Sequence, residues 1–358
     1  MKTKMFVLTE DQQMVRELAE GLAQSEIRPR AEEVDHASVC PAEGMAVLAE
    51  AGLLACTVPE EYGGAGLDAW SQMCVIEETA KECASTAWAV AASSVAAECV
   101  LAHGGETLKR EMLPALVSGQ FAAVAETAVQ AEQDGEGWAL SGTARHVLLA
   151  AESSWYLVSA AADGAVRWFA VRGDAAGLQV RAGEPMLGLK GCPMGDLVLD
   201  RCPGEVLDAK ADSSVKAALF LASAAVSEGV AQGALAEAVA YVNQRVQFGK
   251  TIAQFENTQQ VMAELLAKAQ AARALVWDAA EVKMSGDDYG VVAAMAKIVA
   301  SDAAGIITRK CIQFMGGYGY SREYPVERKM RDAKMLELVG VTAEQGKASV
   351  AGAEIVGA

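Results

Sequence analysis

The pattern of apolar positions changes twice along the chain. After Thr9 and Gln12, spaced as a helix-starting capping box, Met14, Val15, Leu18, Ala19 and Leu22 recur at intervals of three and four. That spacing predicts a helix with one buried face. A loop follows at 59–67, where Pro59 punctuates the approach and the glycines permit positive φ. Helical patterning resumes over 75–99, rich in alanine and serine. From Phe121 the period shortens. Residues 121–127, 138–144, 154–160, 166–171 and 197–200 are β-compatible runs separated by Gly, Asp and Ala turns. They predict a small antiparallel sheet or barrel of roughly 85 residues. From Lys210 the chain returns to long alanine-rich stretches, 218–247, 254–284 and 291–315. Each far exceeds the roughly 11-residue average helix, and such helices pack most simply as an antiparallel bundle. The expected organisation is α+β: an N-terminal helical domain over 1–120, a central β domain over 121–208 and a C-terminal helical bundle over 209–358.

Composition narrows the classes of function. The chain has 358 residues, 52% of them hydrophobic, enough for two or three domains with large cores. No uninterrupted apolar run reaches the roughly 18–20 residues of a membrane helix. The longest, over 88–101, is broken by Ser93, Ser94 and Glu98, so no membrane span is expected. The first residues hold too short an apolar core for a secretory signal. A formal charge of −17 repels phosphate backbones and argues against nucleic acid as a partner. It leaves room for an anionic small ligand in a local basic pocket. Cys40, Cys56, Cys74, Cys83, Cys99, Cys192, Cys202 and Cys311 form no CxxC pair and read as reduced thiols in a cytoplasm. His36, His103 and His146 have no metal-ligand spacing, so no metal site is expected.

Three segments carry sharper signals. Arg245-Val-Gln-Phe-Gly-Lys-Thr-Ile252 ends a helix with an arginine whose planar fork suits a phosphate. An arginine answering the helix dipole, with Gly249 as the stop, is the plainer reading. Gln313-Phe-Met-Gly-Gly-Tyr-Gly-Tyr320 places adjacent glycines after a long helix, open to a ligand or simply a C-cap and turn. The charged run from Tyr324 to Lys334 reads by itself as a solvated helix face with i,i+4 pairs. His146 reads as an ordinary polar residue and Cys192 as a small apolar filler.

Taken together, in this order and spacing, the three segments and the 59–67 loop resemble the acyl-CoA dehydrogenase family over nearly the whole chain. The resemblance implies an N-terminal helical domain, a central β domain and a C-terminal four-helix bundle, assembled as a dimer of dimers. It also implies FAD-dependent α,β-desaturation of an acyl-CoA thioester. There a carboxylate removes the α proton while the flavin takes a hydride from the β carbon. Such a base is commonly worth about 10²–10⁴-fold in rate. An electron-transfer flavoprotein is the acceptor the resemblance suggests.

The expected base is absent. The family's glutamate after the Arg-Asp-Ala-Lys segment falls here on Gly340, while Thr342 matches the family's threonine. The alternative position, directly after the helix-end arginine, is Val246. The loops that wrap the chain's own flavin are also eroded: 124–130 lacks the family's Gly-Ser element, and Leu148 stands for a threonine. Ala236 and Val239 stand where relatives often carry Asp and Thr facing the acyl-CoA. The set that reaches a neighbour's FAD is kept, in Arg245, Phe248, Gln313, Gly316 and Gly317, with Glu256 replacing a glutamine. This split implies a base-lacking subunit that completes the FAD site of a sister acyl-CoA dehydrogenase chain in an α2β2 assembly. Its own flavin occupancy is the doubtful half. A second reading is a homotetrameric flavoenzyme with a relocated base, Glu337 ahead of Glu344 and Glu126, or with acyl-CoA chemistry needing no base. A third is a flavin-free scaffold.

Overall fold

The computed structural model describes residues 7–356. The secretory-signal reading therefore rests mostly on residues outside the described ones. Helix α1 (Glu10–Leu22) starts at Thr9, whose side chain and that of Gln12 cap each other's backbone. Its apolar stripe is only partly used. Ala19 is buried and Val15 and Leu22 are half-buried, but Met14 and Leu18 are exposed, contrary to the expected single buried face. The helix lies on the outside of the domain, so only a narrow strip meets the core. Helices α2 (Ala31–Ala37) and α3 (Ala42–Glu50) follow, then α4 (Ala69–Glu82) and α5 (Ala84–His103), both buried almost throughout, and α6 (Glu106–Val117).

Six strands come next: β1 (Phe121–Asp134), β2 (Gly137–Leu148), β3 (Ser153–Ala162), β4 (Ala165–Arg172), β5 (Leu178–Ala182) and β6 (Met194–Val206). Their order is β2-β1-β3-β4-β6-β5, and β2 pairs with β6 as well, which closes a small barrel. Phe169, Val158, Leu140 and Leu197 fill its interior. The sheet is mixed, because β1 and β3 run parallel, with Val124 opposite Leu157. Sequence periodicity reads which face a residue takes but not which strand lies beside it, so the expected antiparallel pattern fails at this pair. The short strand β5 escaped notice because its exposed residues lack a buried alternation.

The rest is helical: α7 (Ala211–Gln244), a hairpin of β7 (Val246–Gln247) and β8 (Lys250–Thr251), then α8 (Glu256–Met284), α9 (Gly290–Met315), α10 (Val326–Leu336) and α11 (Ala343–Ala351). The long helices α7, α8 and α9 pack together, and the short α10 and α11 share the remaining side of α9. His103 at the end of α5 lies 2.9 Å from the Ser214 hydroxyl and 3.0 Å from Asp208, tying the first domain to the entrance of α7.

Three segments, Ala84–His103, Ala211–Gln244 and Gly290–Tyr320, are long and apolar enough to cross a membrane by length and composition. The expectation based on unbroken apolar runs missed them, since scattered serines and lone charges interrupt a run without making a helix polar. The apolar window of the second is 94% buried inside the chain, whereas that of the third is only 50% buried. Two of these helices are apolar because they are core. The third carries half-buried apolar residues such as Val292, Val299 and Ile306, and its exposed positions within α9, Asp302, Arg309, Lys310 and Gln313, are polar.

Candidate active site and subunit-facing patch

A cavity of about 640 Å³ opens between the barrel and the helices. Trp88 and Ala92 of α5, Ala125 of β1, Leu148 of β2 and Met335 of α10 give it apolar walls. Glu126, Arg145, His146, Glu184 and Asp196 lie around it. His146 holds a left-handed backbone at φ 59, and its N–H donates to Asp196 Oδ1 at 3.0 Å. Glu126 accepts from the Gln345 side chain at 2.9 Å and has Lys216 at 3.7 Å. Trp88, Arg145, Glu184 and Asp196 were not singled out from sequence. They come from four separate segments with no common motif, so no local signal marked them.

Gly340 lines this cavity, in the turn between α10 and α11. It has φ +70, and a Cβ built on it would lie 3.0 Å from Trp88 Cη2 and 3.5 Å from Leu219 Cδ2. Glycine adopts that backbone freely, whereas a side chain there would be strained and crowded. Thr342 caps α11, accepting the Gln345 N–H at 3.1 Å, and Gln345 in turn holds Glu126. The role visible for Thr342 is therefore to set the helix whose first turn braces the cavity.

The carboxylates considered as relocated bases fare differently. Glu337 closes α10 but does not line the cavity; its carboxylate pairs with Lys334 at 2.7 Å. Glu344 is exposed and pairs with Lys347 at 2.7 Å. Only Glu126 of the three borders the cavity. Val246 sits in the exposed hairpin, and Ala236 and Val239 are exposed on α7, none of them against the cavity.

The second group of residues lies on a different, exposed face. Arg245 caps α7 in extended conformation, and its guanidinium stands 5.9 Å from the centroid of the Tyr318 ring. Tyr318 meets Tyr324 edge-on at 5.7 Å. The Arg245 segment and the Gly316–Tyr320 turn are thus neighbours. Phe248 and Gly249, with φ 50 and 80, form the two-residue turn joining β7 and β8. Positive φ at both positions matches the twist of a tight hairpin. The turn lifts Phe248 into solvent, 93% exposed. Gln313 is exposed on the last turn of α9, and no atom lies within 4 Å of a Cβ built on Gly316 or Gly317.

The charged run before the cavity is not a solvated face. Both Arg331 terminal nitrogens reach Asp35, at 2.9 and 2.7 Å, while Nε pairs with Glu327 at 2.8 Å and Nη1 donates to the Leu187 carbonyl at 3.0 Å. Burial pushes the Asp332 carboxyl up to about 6, and its Oδ1 accepts the Leu189 N–H at 2.7 Å. Lys329 is buried and donates to the Lys81 carbonyl; burial lowers its pKa. One turn of helix therefore joins all three structural regions, which the i,i+4 pattern alone did not reveal. Beneath it, Lys297 of α9 donates to the Leu336 carbonyl at the end of α10, and burial lowers its pKa to about 7.

A barrel between two helical regions, with a cavity at their junction, defines a three-part fold built to enclose a ligand. The chain matches the acyl-CoA dehydrogenase N-terminal domain over residues 9–120, the middle domain over 117–202 and the C-terminal domain over 221–351. It is 34% identical over 360 residues to the probable acyl-CoA dehydrogenase FadE25 of Mycobacterium tuberculosis, covering 93% of this chain and 92% of that protein. Butyryl-CoA dehydrogenase of Megasphaera elsdenii has a TM-score of 0.92 at 30% identity, covering 97% of this chain and 99% of that one. A chain from the structural study of the electron transferring flavoprotein of Acidaminococcus fermentans and flavin-based electron bifurcation has a TM-score of 0.94 at 30% identity, covering 98% and 99%. The chain belongs to the acyl-CoA dehydrogenase family, whose members are FAD-dependent.

The two groups of residues fit that cofactor unequally. Around the cavity, Val124, Ala125, Val147 and Leu148 offer apolar side chains to a flavin ring whose edge carries hydrogen-bonding atoms. Burying such an edge unpaired costs roughly 1–3 kcal/mol per group, so at these four positions only the backbone or the neighbouring polar residues Glu126, Arg145, His146 and Asp196 can meet it. The exposed patch does fit part of a flavin nucleotide. It offers the Arg245 guanidinium to phosphate, the Phe248 ring for contact and an open backbone at Gly316 and Gly317.

Proposed function

We propose that this chain is a base-lacking subunit of a heteromeric acyl-CoA dehydrogenase. It pairs with a sister chain of the same fold in an α2β2 assembly and completes that chain's FAD site with Arg245, Phe248, Gln313, Gly316 and Gly317. The bound flavin supplies hydride acceptance, and the sister chain supplies the carboxylate that takes the α proton of the acyl-CoA. This chain's own residues act at the remote end of the cofactor. Arg245 holds negative charge, Phe248 shields the cofactor from water, and the two glycines let it approach the backbone.

The observation that carries the reading is the contrast between Gly340 and Phe248. The position of the base holds a glycine in a backbone that only glycine takes easily, while the residue meant for a neighbour projects fully from the surface. Glu337, paired with Lys334, and Glu126, held by Gln345 and near Lys216, are both engaged elsewhere, which argues against either as a relocated base. The similarity to a chain studied with an electron transferring flavoprotein favours that class of protein as electron acceptor. Eight unpaired cysteines suit a reducing, cytoplasmic setting.

The test is flavin stoichiometry. The natural assembly, purified and denatured, is expected to release one FAD for every two chains, and this chain alone to desaturate no acyl-CoA. One FAD per chain with turnover by this chain alone overturns the proposal.

A further inference from the structure

Away from the cavity and the exposed patch, ionisable side chains are buried together where α4 packs on α7 and α8. Glu77 and Glu78 of α4 and Glu228 of α7 are each no more than 2% exposed. Three cations serve the first two. Arg16 of α1 lies 3.6 Å from Glu77 and 2.8 Å from Glu78, and Lys81 of α4 lies 3.5 and 2.6 Å from the same pair. Arg273 of α8 lies 2.7 Å from Glu77 Oε1. Among the described residues none of these cations pairs with Glu228. Its Oε1 accepts from Gln232 on its own helix, and its Oε2 has no hydrogen-bond partner. Glu77 Oε1 also lacks one, because Arg273 Nη2 is close to it without being aligned. The two carboxyls stand on touching segments. A Cβ built on Gly229, next to Glu228, would lie 2.5 Å from the Glu77 carbonyl oxygen and 2.6 Å from Ala80 Cβ. The other buried charges nearby are committed. Lys329 of α10 donates to the Lys81 carbonyl, Lys297 of α9 to the Leu336 carbonyl, and Glu98 of α5 pairs with Lys283 at 2.6 Å. Burial first, and then the charge of Glu77, push the Glu228 carboxyl well above the usual carboxylate range, against the opposing pull of Arg273 and Lys81. An ionised carboxylate so deeply buried with one hydrogen bond is costly. A protonated one can instead donate to a neighbouring carboxylate.

We propose that Glu228 holds a proton and shares it with Glu77, forming a pH-sensitive latch between the N-terminal helical region and the C-terminal bundle. The Glu228 O–H donates, and Glu77 accepts with the oxygen that no cation is aligned to use. When the proton leaves, two buried carboxylates face each other and α4 is driven from α7. Helix α5 follows α4 directly and carries Trp88, so release of the latch loosens one wall of the cavity. The unfolded chain gives up this proton near the ordinary glutamate value of 4.5, the folded chain at higher pH. The stability of the latch is therefore complete below about 4.5 and is lost as pH rises through the folded value. The latch is independent of which chain holds the flavin.

Glu228→Gln in the full chain tests the latch, since the amide keeps the shape and a donor but does not titrate. At about pH 7 the infrared spectrum of the wild type should contain a protonated-carboxyl stretch that this variant lacks. The unfolding constant of the wild type, divided by that of the variant, should grow with pH from about pH 5 by up to about tenfold per unit, then level off once the folded chain has released the proton. Beyond that release, amides of α4 and α5 should exchange at least about fivefold faster in the wild type than in the variant at the same pH. In Glu77→Gln the Glu228 stretch should shift, because its acceptor becomes a neutral amide. A wild type without the stretch, a ratio of unfolding constants that does not change with pH, equal exchange in the two proteins, or a stretch unmoved by Glu77→Gln overturns the latch. Should Glu228→Gln fail to fold, the wild-type spectrum decides alone. Asp332 titrates at about 6, so a protonated-carboxyl stretch that remains at about pH 8 supports the latch and its absence overturns it.

Discussion

Gly340 and Trp88 are fitted to one another. The glycine turns left-handed at the end of α10, and the indole edge lies 3.0 Å from the place a Cβ would take. A side chain at this position would meet both a left-handed backbone and the Trp88 ring, so a single substitution does not simply restore a base. Gly340→Glu is expected to destabilise the chain by about 1–3 kcal/mol, from left-handed strain and overpacking, and to give no desaturation. Urea unfolding together with an acyl-CoA oxidation assay measures both. Brisk turnover by this variant in the absence of a partner would contradict the account.

Glu337→Gln should leave the activity of the assembly unchanged. The carboxylate points to Lys334 and away from the cavity, and an exposed pair of this kind contributes about 0–1 kcal/mol at most. Steady-state kinetics of the assembled enzyme check this; a large fall in kcat would return Glu337 to the catalytic machinery.

Phe248→Asp separates folding from assembly. The ring is 93% exposed, so the stability of the isolated chain should shift by no more than about 0.5 kcal/mol. Flavin retained by the assembly should fall sharply if Phe248 acts at a neighbour's cofactor as proposed. Circular dichroism of the chain and flavin absorbance of the complex report the two effects separately.

Arg331→Met should be far more damaging than Lys334→Met, three residues away. Arg331 and its partners Asp35 and Glu327 are each only 14–16% exposed in their side chains. Removing one partner of such a group leaves buried charge behind, and about 2–4 kcal/mol is expected to be lost. The Lys334 pair is 59% and 32% exposed, and its loss should fall within about 0.5 kcal/mol. Parallel denaturant titrations give the comparison.

Lys297 predicts the sign of a pH effect. Burial lowers its pKa from 10.5 to about 7 in the folded chain. Between those values the unfolded chain binds the proton and the folded chain has released it. Stability from this group therefore rises with pH above about 7, with a slope no steeper than about 1.4 kcal/mol per unit. The difference in stability between wild type and Lys297→Met, followed from pH 7 to 8.5, should rise along that line. A flat difference would mean that Lys297 stays charged in the fold.

Much of the architecture was legible because it is written in local periodicity. The capping box at Thr9, the three long helices and five of the six barrel strands follow from spacing and turn residues. The motif residues on the exposed patch were legible for a related reason: Arg245 and Phe248 share one short segment, and Gln313, Gly316 and Gly317 share another. The cavity was not. Its walls come from segments far apart in the chain, and neither Trp88 nor Asp196 carries a sign of its destination. The charged run around Arg331 misled for the same reason, since a pattern that suits water suits equally well a contact with Asp35 almost 300 residues earlier.

By itself, the sequence determined the order of α, β and α regions, the absence of a carboxylate at position 340 and the presence of Arg245, Phe248, Gln313, Gly316 and Gly317. Those are properties of residue identity and of spacing along the backbone, which need no neighbour to be read. Only the tertiary structure decided that β1 runs parallel to β3, that Glu337 faces Lys334, that Arg331 joins three regions and that Trp88 crowds the glycine's vacant side. Each of these depends on which distant segments the packed core brings within a few ångströms, and hydrophobic burial, being non-directional, leaves no record of that choice in any single stretch of chain.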